Sequence, residues 1–356
     1  MRLYGIELRR FLSRRANIVL AGVGIAFLVA VLAVLVASTH TPSDTELADA
    51  HAQAELARDQ IAEDRALCQL YHDDPAAFQA EVSRMSDAER AERYYIEYPE
   101  EFPQDCEGEF DPSQINVSDY MQGVLVFEDE AEDQIIFLGV IFALCGLLMA
   151  SSFVGAEWTS GGMTNLLLWQ PRRQPVFFSK FGAALTCVLG VAMLYSVVHM
   201  GALLLISAVR GEVGTLDGAW WGDQTEMVLR LLAIVVVAVA FGMGLAMIGR
   251  RTVAAIGAVI AYAALFEFGA RLLLDSVDVA IDIALLSTYM VAWMNDGIYV
   301  TSNGLSSYAY EDYGYYSDYV GFNLYISDWA GGAVLLAVTA ALVAGASTLF
   351  AKRDAV

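Results

Sequence analysis

Six separate runs of apolar residues constrain this chain more than any other feature. At 1.5 Å rise per residue, a helix of about 20 such residues crosses the hydrocarbon layer of a bilayer. The runs cover residues 17–37, 135–156, 181–209, 227–249, 252–274 and 330–351. Backbone polar groups inside hydrocarbon must bond within their own segment, so each run is expected as a helix. The predicted fold is an all-α polytopic membrane protein with six transmembrane helices. A mostly helical external domain, residues 38–134, is expected between the first and second of them. The first run is long and lacks a clear small-x-small cleavage site, so it reads as a retained anchor rather than a secretory signal.

The chain is 57% hydrophobic and carries a formal charge of −22. A single soluble core does not combine those values, whereas membrane spans with separate acidic regions do. Only Lys180 and Lys352 are lysines among the 20 cations. No clustered basic face is present of the kind nucleic acid requires, so no nucleic-acid partner is expected.

Cations set the orientation. Arg2, Arg9, Arg10, Arg14 and Arg15 precede the first span, and Arg172, Arg173 and Lys180 lie between the second and third. Arg250 and Arg251 separate the fourth from the fifth, and Lys352 and Arg353 follow the sixth. Positive charge thus falls on alternate loops, which places both termini in the cytoplasm. Residues 277–294 tempt a seventh span, but it would turn Lys352 and Arg353 outward. With Asp278 and Asp282 on one helix face, this piece is read as interfacial or re-entrant.

In the external domain, a helix is expected from about Ser43 to Tyr71, capped by Ser43 or Asp44, and a second over residues 75–95. Cys68 and Cys106 lie in this domain, where an oxidising compartment and a small core favour a disulfide. The alternative is two free thiols. Residues 275–329 hold no lysine or arginine and are rich in tyrosine. This region reads as an aromatic belt at the membrane boundary, with a lid over an exit path as the sharper alternative.

Catalytic motifs are absent. The sequence has no HExxH, no CxxC and no GxSxG, and neither lysine follows a glycine, which excludes a P-loop. No metal site and no bound cofactor are expected in this chain. Charged groups inside spans are functional candidates by default. Glu267 and Arg271, four apart in the fifth run, either line a polar translocation path or neutralise one another near the interface. His199 is read as a helix–helix contact, with a proton carrier as the alternative. Arg230, at the outer end of the fourth run, is read as an interface anchor.

Residues 155–181 carry the most specific pattern. After the second run come Glu157, Gly161, Met163, the cluster Leu166 to Leu168, Pro171, Arg172 and Arg173, and then Lys180 opening the third. Thr159 or Ser160 is expected to cap a short helix that Pro171 stops. Apolar and basic residues on its surface make it a docking knob, or else an interfacial helix on anionic lipid.

That order of residues resembles the membrane subunit of type-two ABC exporters. The resemblance makes this segment, residues 157–180, the coupling helix region that fits a cleft in a separate ATPase. It makes "MRLYGIELRRFLSRR", residues 1–16, similar to that family's amphipathic connecting helix, with Tyr4, Leu8, Phe11 and Leu12 on one side. It also implies six spans, cytoplasmic termini and a re-entrant piece before the sixth span. Gly161 and Gly162 stand where the family usually has Gly-Thr. The implied partners are two copies of an ABC ATPase subunit, a second permease subunit (identical or related) and membrane lipids. ATP and Mg would be bound in the ATPase, and this chain would supply no catalytic residue. The mixed face expected on the inner side makes Glu157, Met163, Leu167 and Arg172 the expected contacts with that ATPase.

The rival reading is a non-transporting membrane scaffold or sensor whose acidic external domain binds a partner. A polytopic enzyme is a third, without a spaced carboxylate pair to support it. Few lysines beside many alanines and arginines suggest a GC-rich bacterium, and hence its plasma membrane.

Overall fold

Each apolar run forms a helix, and most of the helices extend past the run that predicts them. The computed structural model describes residues 2–86, 90, 93–99, 102–103, 105–121, 123–274, 281–301, 304–306 and 323–352. Six of its helices are long and apolar enough to cross a membrane. They are α2 (Arg15–Ser38), α5 (Phe127–Thr159), α7 (Arg173–Arg210), α8 (Gly218–Gly249), α9 (Thr252–Tyr262 and its continuation) and α11 (Asp328–Lys352). The other helices of eight residues or more among the described residues are α1 (Arg2–Leu12), α3 (Asp44–Asp73), α4 (Pro75–Arg84), α6 (Gly162–Trp169) and α10 (Leu286–Met294).

The 38 residues of α7 make a rod of about 57 Å, longer than the hydrocarbon layer. Its first turn begins eight residues before the predicted span because Pro175 is tolerated there, where no intrahelical N–H bond is required. Helix α5 likewise starts at Phe127 rather than Ile135, its acidic first turn complementing the helix dipole.

The core of the bundle runs between α5, α7 and α8 and includes Leu138, Phe153, Val176, Phe177, Val239 and Met243. Helices α5 and α8 approach closely. A Cβ on Gly242 would lie 2.3 Å from the Leu147 carbonyl oxygen, so only glycine fits there. Helices α2 and α9 instead bury only 6% of their most apolar stretches within one chain.

The segment between α2 and α5 is a module with its own apolar cluster, Leu67, Cys68, Phe78, Ile96, Phe102, Cys106 and Phe110. Helix α3 begins where expected: Ser43 Oγ accepts from the Glu46 N–H, and Glu46 returns a bond to the cap. The expected second helix over 75–95 is interrupted: α4 stops at Arg84, where Met85 turns to an extended backbone (φ −70°, ψ 147°), and among the described residues a four-residue helical turn, Tyr94–Glu97, lies further on. Residues 87–89 and 91–92 of that expected helix lie outside the described residues. Cys68 and Cys106 form a disulfide with Cα atoms 5.8 Å apart.

The region before α11 corrects the all-α expectation. Strands β1 (Ile298–Thr301), β2 (Gly304–Ser306) and β3 (Asn323–Ile326) form an antiparallel sheet ordered β2-β1-β3. Tyr299 faces Tyr325 in its register, and Ile298, Val300 and Ile326 pack with Ala292 of α10. Helix α10 has nine residues, too few by itself to span a bilayer. Residues 277–280 of that segment, Asp278 included, and most of the tyrosine-rich stretch lie outside the described residues.

Candidate functional site

Gly161 creates the site. Its φ of +74° is a left-handed conformation that other residues adopt only at a cost, and it turns the chain from α5 into α6. The expected cap at Thr159 or Ser160 is not formed. Thr159 Oγ1 donates to the Ala156 carbonyl at 3.1 Å and Ser160 Oγ to that of Glu157 at 3.5 Å, so both hydroxyls bond back into α5. Glycine, not a hydroxyl, therefore starts α6.

Helix α6 has two faces. Met163 is completely buried and Leu167 nearly so, both in the bundle core, with Leu166 packed beside them. These residues seat the helix. Leu168 and Trp169 point outward with 77% and 87% exposure, and Pro171 and Arg172 are exposed directly after them. The exposed surface of this segment therefore includes Leu168, Trp169, Pro171 and Arg172. The sequence places Trp169 on one apolar face of this helix with Met163, Leu166 and Leu167, and Leu168 only within the leucine cluster; the structure separates Trp169 from Met163 and Leu167. Arg173 is turned inward, and its Nη1 donates to the Phe350 carbonyl of α11 at 3.3 Å.

Beneath α6 lies a charge cluster of which sequence reading identified two members. Lys180 Nζ is 2.6 Å from Glu157 Oε2 and 2.6 Å from Glu7 Oε2, with Lys180 and Glu7 fully buried. Arg10 bonds the other Glu7 oxygen at 3.3 Å. Arg14 Nη1 donates to the Phe153 carbonyl at 2.8 Å. Glu157 lies close enough to oppose the fall that burial imposes on the Arg14 pKa. The ammonium of Lys180 also sits 4.7 Å from the Phe153 ring centroid. Glu7 is the missed residue. Its signal was available: it is the sole carboxylate in an otherwise basic amphipathic helix.

Through these contacts α1, the end of α5, α6 and the start of α7 form one basic end of the bundle. Phe11 of α1 packs edge-to-face on Phe153 at 5.1 Å, and Tyr4 Oη donates to Thr186 Oγ1 at 2.8 Å. Trp158 packs on Phe350 of α11 and carries the Arg250 guanidinium 4.8 Å above its ring.

Glu267, Arg271 and His199 lie in the half of the bundle away from α6. Glu267 and Arg271 do not pair with each other among the described residues. Residues Ala263–Ala270 form a π-helix, which widens the turn and removes the i,i+4 alignment. Glu267 accepts from the N–H and hydroxyl of Ser287, while Arg271 donates to Asp282 Oδ1 at 2.8 Å and to Ser287 Oγ at 3.2 Å. Tyr262 Oη accepts from the Leu286 N–H at 3.0 Å. All three clamp the segment leading into α10. His199 Nε2 bonds Gln134 Oε1 of α5 at 2.9 Å in a buried helix–helix contact.

Arg230 is more than an interface anchor. It is buried, bonds Glu226, Asp296 and the Trp293 carbonyl, and lies 3.5 Å from Asp328 of α11. It ties α8, α10 and α11 together.

A family model described as "ABC-2 family transporter protein" matches residues 1–355. No curated protein and no solved structure is similar enough to match.

Proposed function

The chain belongs to the ABC-2 transporter family as a membrane permease subunit, and we propose that it couples ATP turnover in a separate ATPase to export of a substrate. Two ATPase copies and a second permease subunit complete the assembly, identical or related to this chain. The basic end is cytoplasmic and the inserted module external, in a bacterial plasma membrane.

One observation carries this reading. At the basic end, α6 presents Leu168 and Trp169 to solvent while Met163 and Leu167 root it in the core. A rooted helix with an exposed aromatic tip can accept a push and pass it on. An ATPase that closes on ATP would displace α6. The Glu157–Lys180–Glu7 cluster would carry that displacement into α7 and α1 together. ATP must favour one arrangement over the other for anything to move. Helices α2 and α9, scarcely buried within one chain, are the surfaces left for the second permease subunit.

Trp169→Glu and Arg172→Glu test the reading. Both should reach the membrane folded, yet lose co-purification with an ATPase and lose ATP-dependent transport. A scaffold or sensor would keep its partner through the inserted module in both variants.

A further inference from the structure

A chamber of about 300 Å³ opens between α5, α7 and α8 in the half of the bundle away from α6. That volume is at the lower end of small-molecule sites. Its walls include Ile135, Phe142, Ala192, Val228 and Leu231, nearly all apolar. Val197, which also lines it, is 70% exposed on the face α7 turns outward, so the mouth opens sideways between helices. Trp220 and Trp221, edge-to-face at 4.9 Å, line one part of it beside Gln224. Paired indoles of this kind mark the headgroup level of a bilayer. Gln224 is 9% exposed, and its Oε1 is buried with no hydrogen-bond partner among the described residues. An orphaned carbonyl of this kind is costly unless something supplies a donor.

We propose that this chamber is an intramembrane lipid site. One acyl chain enters from the hydrocarbon between α5, α7 and α8. Rotation of the Gln224 side chain toward the chamber it lines lets a hydroxyl or amide N–H at the lipid's headgroup boundary donate to Oε1. A purely hydrocarbon occupant would leave that oxygen unpaired, and a soluble polar solute has no aqueous route through the lateral mouth. The site involves neither α6 nor an ATPase, so it stands or falls apart from the proposed coupling.

The test is photocrosslinking of the full-length chain in vesicles, using lipids with a diazirine in the acyl chain. One probe lipid carries a free hydroxyl at the headgroup boundary, and its twin carries that hydroxyl methylated. Adducts from the hydroxyl lipid should concentrate on Ser196, Val197, Val228 and Leu232. Ser196→Phe, which fills the chamber, should cut their yield about tenfold. Gln224→Leu should abolish the preference for the hydroxyl lipid over its twin. Wild-type adducts spread evenly over lipid-facing positions such as Val140 and Leu205 would overturn the proposal without any variant. Unchanged yield in a folded Ser196→Phe protein would do the same. Equal labelling by the two lipids in the wild type would overturn the hydrogen bond to Gln224.

Discussion

Lys180 Nζ and Glu7 Oε2 meet at 2.6 Å, 173 residues apart in sequence, with both side chains fully buried. Glu157 completes the cluster from α5. Removing the one shared cation leaves two carboxylates without it in a dry site, and breaking a buried pair costs about 3–5 kcal/mol. Lys180→Met should therefore lower thermal stability in detergent sharply, by more than Glu7→Gln does. Adding Glu7→Gln to Lys180→Met should recover part of the loss, because one stranded charge disappears. Additive losses in this double-mutant cycle would mean that the two side chains are not coupled.

Gly161 has open space where a Cβ would stand, so replacing it tests backbone conformation alone. Holding an ordinary residue in the left-handed region costs about 1–2 kcal/mol. Gly161→Val should reorient α6 and reduce ATPase capture, whereas Gly161→Asn should be close to wild type. Equal behaviour of the two variants would show that the +74° φ does not matter.

The clamps on the segment before α10 should act in parallel. Glu267→Ala removes the acceptor for two Ser287 donors but leaves Arg271 on Asp282. A fully buried unpaired donor costs about 1–3 kcal/mol, and the half-buried Ser287 donors cost less. Hydrogen exchange over residues 281–294 should rise in Glu267→Ala and rise further in the Glu267→Ala, Arg271→Ala double variant. Unchanged exchange in the double variant would remove these residues from a positioning role.

Reduction of the Cys68–Cys106 bridge should loosen the inserted module and spare the bundle. Their separation of 38 residues gives about 4 kcal/mol of loop-closure stabilisation by chain entropy. Limited proteolysis with and without reductant should show new cuts between α3 and Phe110 only. Cuts in α5 or α7 would show that the module and the bundle unfold together.

Local chemistry made much of this architecture legible. Each span announced itself by length and polarity, the start of α3 by Ser43 with Glu46, and the end of α6 by Pro171. Contacts set by distant residues were not legible. Nothing near Glu7 says that it meets Lys180, and the spacing of Glu267 and Arg271 promised a pair that the π-helix at Ala263–Ala270 undoes. Met163 and Leu167 share the apolar pattern of Leu168 and Trp169. Only packing against the core decides which pair is sealed and which is offered. The strands around Ile298 and Asn323 are four residues each, too short for a periodic signal to separate them from an aromatic surface.

Side-specific labelling at the tip of α6 tests the coupling proposal most directly. A Trp169→Cys variant would be treated with a membrane-impermeant thiol reagent in intact cells and in inside-out vesicles, then with a short crosslinker before purification. The expected result is labelling in inside-out vesicles alone and a covalent product with an ATPase subunit. Labelling of that cysteine from outside intact cells, or no ATPase among the products, would contradict a cytoplasmic α6 that docks one.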